Sequence, residues 1–119
     1  MRLYYALDLH DDPELIAEYE RWHRAENIWP EVVASIRAAG ILDLEIFRAG
    51  NRLVMVLDVP EDYSVEAKAT ADAADPRMQA WEALMWRFQR ALPFAKPGEK
   101  WLPMTRLFSL RESPLVRDA

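Results

Sequence analysis

From Arg2 to Leu9 the chain reads Arg-Leu-Tyr-Tyr-Ala-Leu-Asp-Leu. Leu3, Tyr5, Leu7 and Leu9 fall on one side of a strand of period two. Asp12-Pro13-Glu14 then makes a helix start, with Asp as the cap and Pro at the first helical position. The spacing predicts a helix from Pro13 to about Ala25, because Leu15, Ile16, Tyr19, Trp22 and His23 recur at three and four and share a face. Trp29-Pro30 interrupts it, since the residue before a proline avoids the helical region. Pro30 opens a second helical piece that ends at Gly40. Leu42, Leu44 and Ile46 alternate with Asp43, Glu45 and Phe47, a turn follows at 49–52, and Leu53 to Leu57 is strongly β-prone, which predicts a hairpin. A helical region after Pro60 breaks at Asp75-Pro76. From Pro76 to Leu92, Met78, Trp81, Met85 and Phe88 keep helical spacing. Met104 to Leu110 is expected to form a last strand.

The resulting order is β-α-β-β-α-β, a ferredoxin-like α+β arrangement in which both helical regions cover one face of an antiparallel sheet. Residues 1–112 are expected to form a single domain, followed by a polar tail at 113–119. Apolar or aromatic residues also fall on the uncovered face (Tyr4, Phe47, Val54 or Met55), and a second copy of the sheet is the simplest cover. A homodimer through the open sheet face is therefore expected, or a ligand cavity enclosed by the sheet, or both.

Composition narrows the chemistry. With 119 residues, one domain is the natural reading, and 51% apolar with 29% charged residues suits a globular fold. The formal charge is −5, which argues against a nucleic-acid partner because phosphate binding needs a basic footprint. There is no cysteine, so disulfide and thiolate chemistry are excluded. No stretch is long and apolar enough for a membrane span, and the N-terminal segment lacks a signal-peptide pattern, so a cytoplasmic protein is expected. With only His10 and His23, and no HExxH, no metal site is expected, and no glycine-rich phosphate loop occurs.

The best candidate constellation is Tyr19, Trp22, His23 and Glu26. Tyr19 and His23 stand four residues apart, so a phenol and an imidazole stack on one helix face. Histidine titrates near neutrality and a phenol donates or accepts a hydrogen bond, which makes a proton-handling pair. An indole beside them supplies the apolar platform that a pyranose, with C–H faces and hydroxyl edges, requires. The same residues on an amphipathic helix also serve as plain packing, and the pattern alone leaves both readings open. Trp81 and Trp86, at helical spacing, read as core.

Tyr19-Glu20-Arg21-Trp22-His23 followed by Ile28-Trp29-Pro30-Glu31-Val32 resembles the signature of the L-rhamnose mutarotase family. Ala39-Gly40-Ile41, the strand end Ile46-Phe47, Asn51-Arg52-Leu53, Gln79-Ala80-Trp81 and Thr105-Arg106-Leu107-Phe108 agree with it in order, so the resemblance covers about residues 1–112. The chain departs from the family pattern in a longer link between His23 and Trp29, in Trp81-Glu82 where two tryptophans are common, and in the 94–100 loop with Trp101. The resemblance implies a dimeric α+β barrel and an isomerase that interconverts α and β anomers of a monosaccharide, a 6-deoxy-L-hexose such as L-rhamnose or L-fucose, without a cofactor. It implies His23 as acid/base, Tyr19 as its partner or a hydroxyl anchor, and Trp29 and Trp81 as apolar wall. Tyr5 and Asp75 are further candidates for substrate binding. The competing expectations are a cofactor-free oxygenase on the same barrel and a sugar-binding module without turnover.

Overall fold

The structure is a computed structural model and describes residues 1–112; the tail expected at 113–119 lies outside the described residues. The elements in chain order are β1 (Arg2–Leu9), α1 (Pro13–Trp22), α2 (Pro30–Ala38), β2 (Asp43–Ala49), β3 (Arg52–Asp58), α3 (Val65–Ala73), α4 (Pro76–Trp86), β4 (Gln89–Arg90) and β5 (Leu102–Pro103). The sheet order is β2-β3-β1-β4, with β5 also on β1, and every pairing is antiparallel. This is the expected ferredoxin-like α+β order.

Local signals start the elements. Asp12 Oδ1 accepts from the backbone N–H of Glu14 (2.9 Å) and Leu15 (3.3 Å), which caps α1. Asp75 caps α4 in the same way through Arg77 and Met78, and Ser64 caps α3 through Ala67. Trp29 stays extended before Pro30 (φ −67°, ψ 127°), so α2 begins at the proline. Gly40 (φ +85°) turns the chain out of α2 in a conformation that costs other residues a Cβ clash.

The register sets the two faces of the sheet. Leu3, Tyr5 and Leu7 of β1 stand opposite Leu57, Met55 and Leu53 of β3, and Leu44 and Ile46 of β2 lie beside Leu57 and Met55. These residues face the helices. Tyr4, Phe47, Val54 and Val56 fall on the other face by alternation. Met55 therefore belongs to the helix side, and Val54 is the outward member of that pair. On the outer face Asp8 and Arg52 are cross-strand partners, joined by two hydrogen bonds at 2.7 and 3.1 Å.

Three expectations are corrected. The helix expected to run to Leu92 stops at Trp86. Phe88 drops fully into the core and its carbonyl accepts from the His10 N–H (2.9 Å), while Gln89 pairs with Leu9. A helix continued through 88–89 could not offer those groups to the edge of β1. The strand expected at Met104–Leu110 is also absent. The ladder ends at Leu102–Pro103, because Pro103 has no N–H to donate and Met104 makes only a last bond to the Tyr4 carbonyl (2.8 Å). The first helix is shorter than expected too. It ends at Trp22, and turns bridge 23–28, where the Asn27 side chain donates to the Arg21 carbonyl (2.8 Å).

The interior has two parts. One cluster joins Leu9, Tyr19, Val32, Leu53, Met78, Trp81, Met85 and Phe88. A smaller one joins Ile41, Leu57 and Val59. Among the described residues no helix is long and apolar enough to cross a membrane.

Candidate active site

Between those clusters, the inner sheet face and the helices enclose a cavity of about 350 Å³. Leu44, Ile46, Met55, Leu57, Val32 and Ile36 make its apolar floor and side. Tyr19, His23, Trp81, Glu82, Gln89 and Trp101 bring polar and aromatic groups to it. A second hollow, about 770 Å³, lies along α1, α2 and β2 and meets the first at Tyr19 and His23. The volume of the first suits a monosaccharide-sized ligand.

His23 is the residue at which α1 ends (φ −95°, ψ 1°), so its ring leaves the helix at the cavity wall. Its Nδ1 lies 2.7 Å from the Tyr19 carbonyl oxygen. A carbonyl only accepts, so Nδ1 carries the proton and Nε2 keeps its lone pair. Burial pulls the imidazole pKa below its ordinary 6.5, and the hydrogen bond to the Tyr19 carbonyl opposes that shift. At neutral pH the ring is therefore a neutral base. Its ring centroid is 4.3 Å from that of Tyr19 and 5.8 Å from that of Trp81.

Tyr19 is 4% exposed. Burial pushes its phenol up to about 12, with a lowering from the Gln89 side chain and a further push from the Glu82 carboxylate. It stays protonated, so its hydroxyl keeps a proton to donate while it accepts from the Gln89 amide. The Gln89 amide reaches its hydroxyl at 3.4 Å.

Trp81 anchors the wall. Trp22, His23 and Trp29 all meet it edge-on, at 6.4, 5.8 and 5.1 Å between centroids. Trp29 does not line the cavity itself; it backs Trp81, and the Arg77 guanidinium covers its ring at 3.6 Å. Tyr5 lines the cavity from β1. Asp75 is not brought there, because its carboxylate caps α4 and it borders a separate hollow beside α3. Trp86, read as core, is exposed, with the Lys100 ammonium 4.5 Å from its ring centroid.

Several wall residues are not singled out by the sequence pattern. Glu82 is held by Lys100 across 2.6 Å, and Lys68 spans Asp72 (2.6 Å) and Ser35 (2.9 Å) at another part of the cavity. Gln89 is hidden because the helical spacing of Met78, Trp81, Met85 and Phe88 runs on to its neighbour, and a helix continued there gives it no special place. A lone amide between Phe88 and Leu92 was the available signal.

Comparison with known proteins agrees with this architecture. The family model described as L-rhamnose mutarotase matches residues 2–110. The chain is 64% identical over 117 residues to a protein of Xanthomonas campestris pv. campestris named L-fucose mutarotase, covering 98% of this chain and 94% of that one. It is 37% identical over 105 residues to the L-rhamnose mutarotase of Burkholderia cenocepacia, covering 86% of this chain and 95% of that one. In fold it is similar to the crystal structure of L-rhamnose mutarotase from Formosa agariphila, with a TM-score of 0.65 at 20% identity over 92% of this chain and 98% of that one. Family match and fold thus converge, and the chain belongs to the L-rhamnose mutarotase family of sugar isomerases.

Proposed function

We propose that this protein interconverts the α and β anomers of a 6-deoxy-L-hexose, with L-fucose the first candidate and L-rhamnose the second. The observation that carries the reading is His23, held as a neutral base at the wall of a tryptophan-backed cavity. The high identity to a relative named L-fucose mutarotase supports fucose over rhamnose.

The chemistry balances without a redox partner. His23 Nε2 takes the proton of the anomeric hydroxyl. The C1–O5 bond breaks, the imidazolium returns that proton to O5, and C1 becomes an aldehyde carbon. Rotation about C1–C2 presents the other carbonyl face, and the reverse steps close the ring. One group that can take and return a proton suffices. Tyr19, a phenol that stays protonated, donates a hydrogen bond to a sugar oxygen, and Trp81 offers an apolar face to the ring C–H groups. The apolar side made by Val32, Ile36 and Leu57 suits the C6 methyl of a 6-deoxy sugar.

Saturation-transfer NMR on L-fucose, L-rhamnose and D-glucose tests the reading. Faster anomer exchange for one of the 6-deoxy sugars supports it. Exchange at the buffer rate for all three overturns it, and thermal protection without exchange marks a binding module instead.

The pH profile follows from His23. The base must be neutral, and its pKa is lowered, so acceleration is expected to be level from pH 7 upward and to fall on the acid side with a midpoint below 6.5. An acid limb centred above 6.5 contradicts the assignment. Stability follows the same sign. Below 6.5 the unfolded chain takes up the His23 proton before the folded one, so this group's contribution weakens as pH falls.

We also propose that the protein works as a homodimer through the open sheet face. Tyr4 and Phe47 are exposed there, and the segment beyond β5 exposes Met104, Leu107, Phe108 and Leu110. The molecule measures 57 × 34 × 31 Å along its principal axes, more elongated than a lone compact domain needs. Replacing Phe47 with Lys is expected to halve the mass found by sedimentation equilibrium at micromolar concentration. A wild-type monomer, or a dimer indifferent to the change, refutes this interface.

A further inference from the structure

Gln89 is 4% exposed, and its Oε1 is, among the described residues, a buried side-chain oxygen without a hydrogen-bond partner. Its amide nitrogen meets the Tyr19 hydroxyl at 3.4 Å, and the side chain lines the cavity. Turning the carboxamide end for end does not remove the vacancy. The Tyr19 hydroxyl would then donate to the oxygen, and the amide NH₂ would be the end without a partner. A buried polar atom left this way costs stability unless a partner arrives.

Glu82 reaches the same cavity from α4, and its side chain is partly exposed. Lys100, itself largely buried, donates to Glu82 Oε2 at 2.6 Å and fixes that carboxylate. Both residues act on one phenol: Gln89 by hydrogen bond, Glu82 by its charge. The cavity thus offers a deep carboxamide, which donates and accepts, and a carboxylate nearer solvent, which accepts only. A hydroxyl is a donor and an acceptor at once, so a polyol edge matches this pair and a hydrocarbon edge does not.

We propose that Gln89 and Glu82 form a hydroxyl-reading subsite that takes two hydroxyls of the pyranose other than the anomeric one, and so selects among hexoses. This rests on the reading that the cavity holds a sugar. His23 handles the reacting proton; Gln89 and Glu82 decide which sugar is held there. A hexose lacking the hydroxyl read by Gln89 leaves that carboxamide unpartnered, which is the situation in which hydrogen-bonding sites discriminate most strongly.

The test uses L-fucose and its 2-, 3- and 4-deoxy forms with the wild-type chain, Gln89→Met and Glu82→Gln. Binding is read by tryptophan fluorescence and exchange by saturation-transfer NMR. The wild type is expected to bind one deoxy sugar about tenfold more weakly than L-fucose, the scale of one lost hydrogen bond to a buried group. In Gln89→Met that ratio is expected to fall to about twofold, because the hydroxyl no longer has a partner to lose. Glu82→Gln is expected to shrink the ratio for a different ring position. Its site is partly exposed, so it decides the question if Gln89→Met does not fold.

A role confined to supporting Tyr19 would weaken all four sugars alike and leave the ratios as they are. Unchanged ratios in the folded variants overturn the proposal. Binding with these ratios but no exchange leaves the subsite standing and removes the mutarotase reading. A wild type that binds none of the four sugars removes both.

Discussion

His23→Ala is expected to lower the acceleration of anomer exchange by at least about a hundredfold, within the range that a general acid–base group contributes. The ring is the one imidazole at the cavity, since His10, the other histidine of the chain, sits exposed after β1. Its removal should cost only about 1 kcal/mol of stability, typical of a half-buried side chain outside the packed centre. The folded variant then separates chemistry from folding. Its circular dichroism should match the wild type while saturation-transfer NMR shows exchange near the buffer rate. His23→Gln refines the test. An amide can still donate to the Tyr19 carbonyl, now met by Nδ1 at 2.7 Å, but it supplies no base. Full activity in His23→Ala would move the acid/base role away from this residue.

Trp81→Ala is expected to destabilise the protein by about 3–5 kcal/mol, the cost of removing a large buried aromatic side chain and leaving a cavity. Trp81 is 5% exposed and three aromatic rings lean on it, from Trp22, His23 and Trp29. That loss is a large share of the roughly 5–15 kcal/mol that holds a domain of this kind together. Trp81→Phe keeps an aromatic face and should cost less. Urea unfolding measures both. A cost below about 1 kcal/mol for the alanine variant would mean that the surrounding rings collapse onto the gap, and that Trp81 is not the hub of the wall.

Some of this was legible at short range. Period two in β1, the cap at Asp12, and the prolines that open α1, α2 and α4 are local signals, each complete within a few residues. The Tyr19–His23 pair was legible for the same reason, because a spacing of four on a helix implies contact between the side chains. The end of α4 was not. Met78, Trp81, Met85 and Phe88 keep helical spacing past the point where the helix stops, and what stops it is the bare edge of β1, remote in sequence. Gln89 was hidden with it. A strand of two residues carries too little periodicity to announce itself.

By itself the sequence determined where most elements start, their order as far as α4, the family signature and the helix face that presents an imidazole and a phenol. Each follows from neighbours within a few positions. Tertiary structure decided how those groups behave. It placed Trp29 behind Trp81, kept Asp75 as a helix cap outside the cavity, and brought Glu82, Gln89 and Trp101 to the wall. It also lowered the His23 pKa and raised that of Tyr19, because burial changes the cost of charge and only the packed chain defines what is buried.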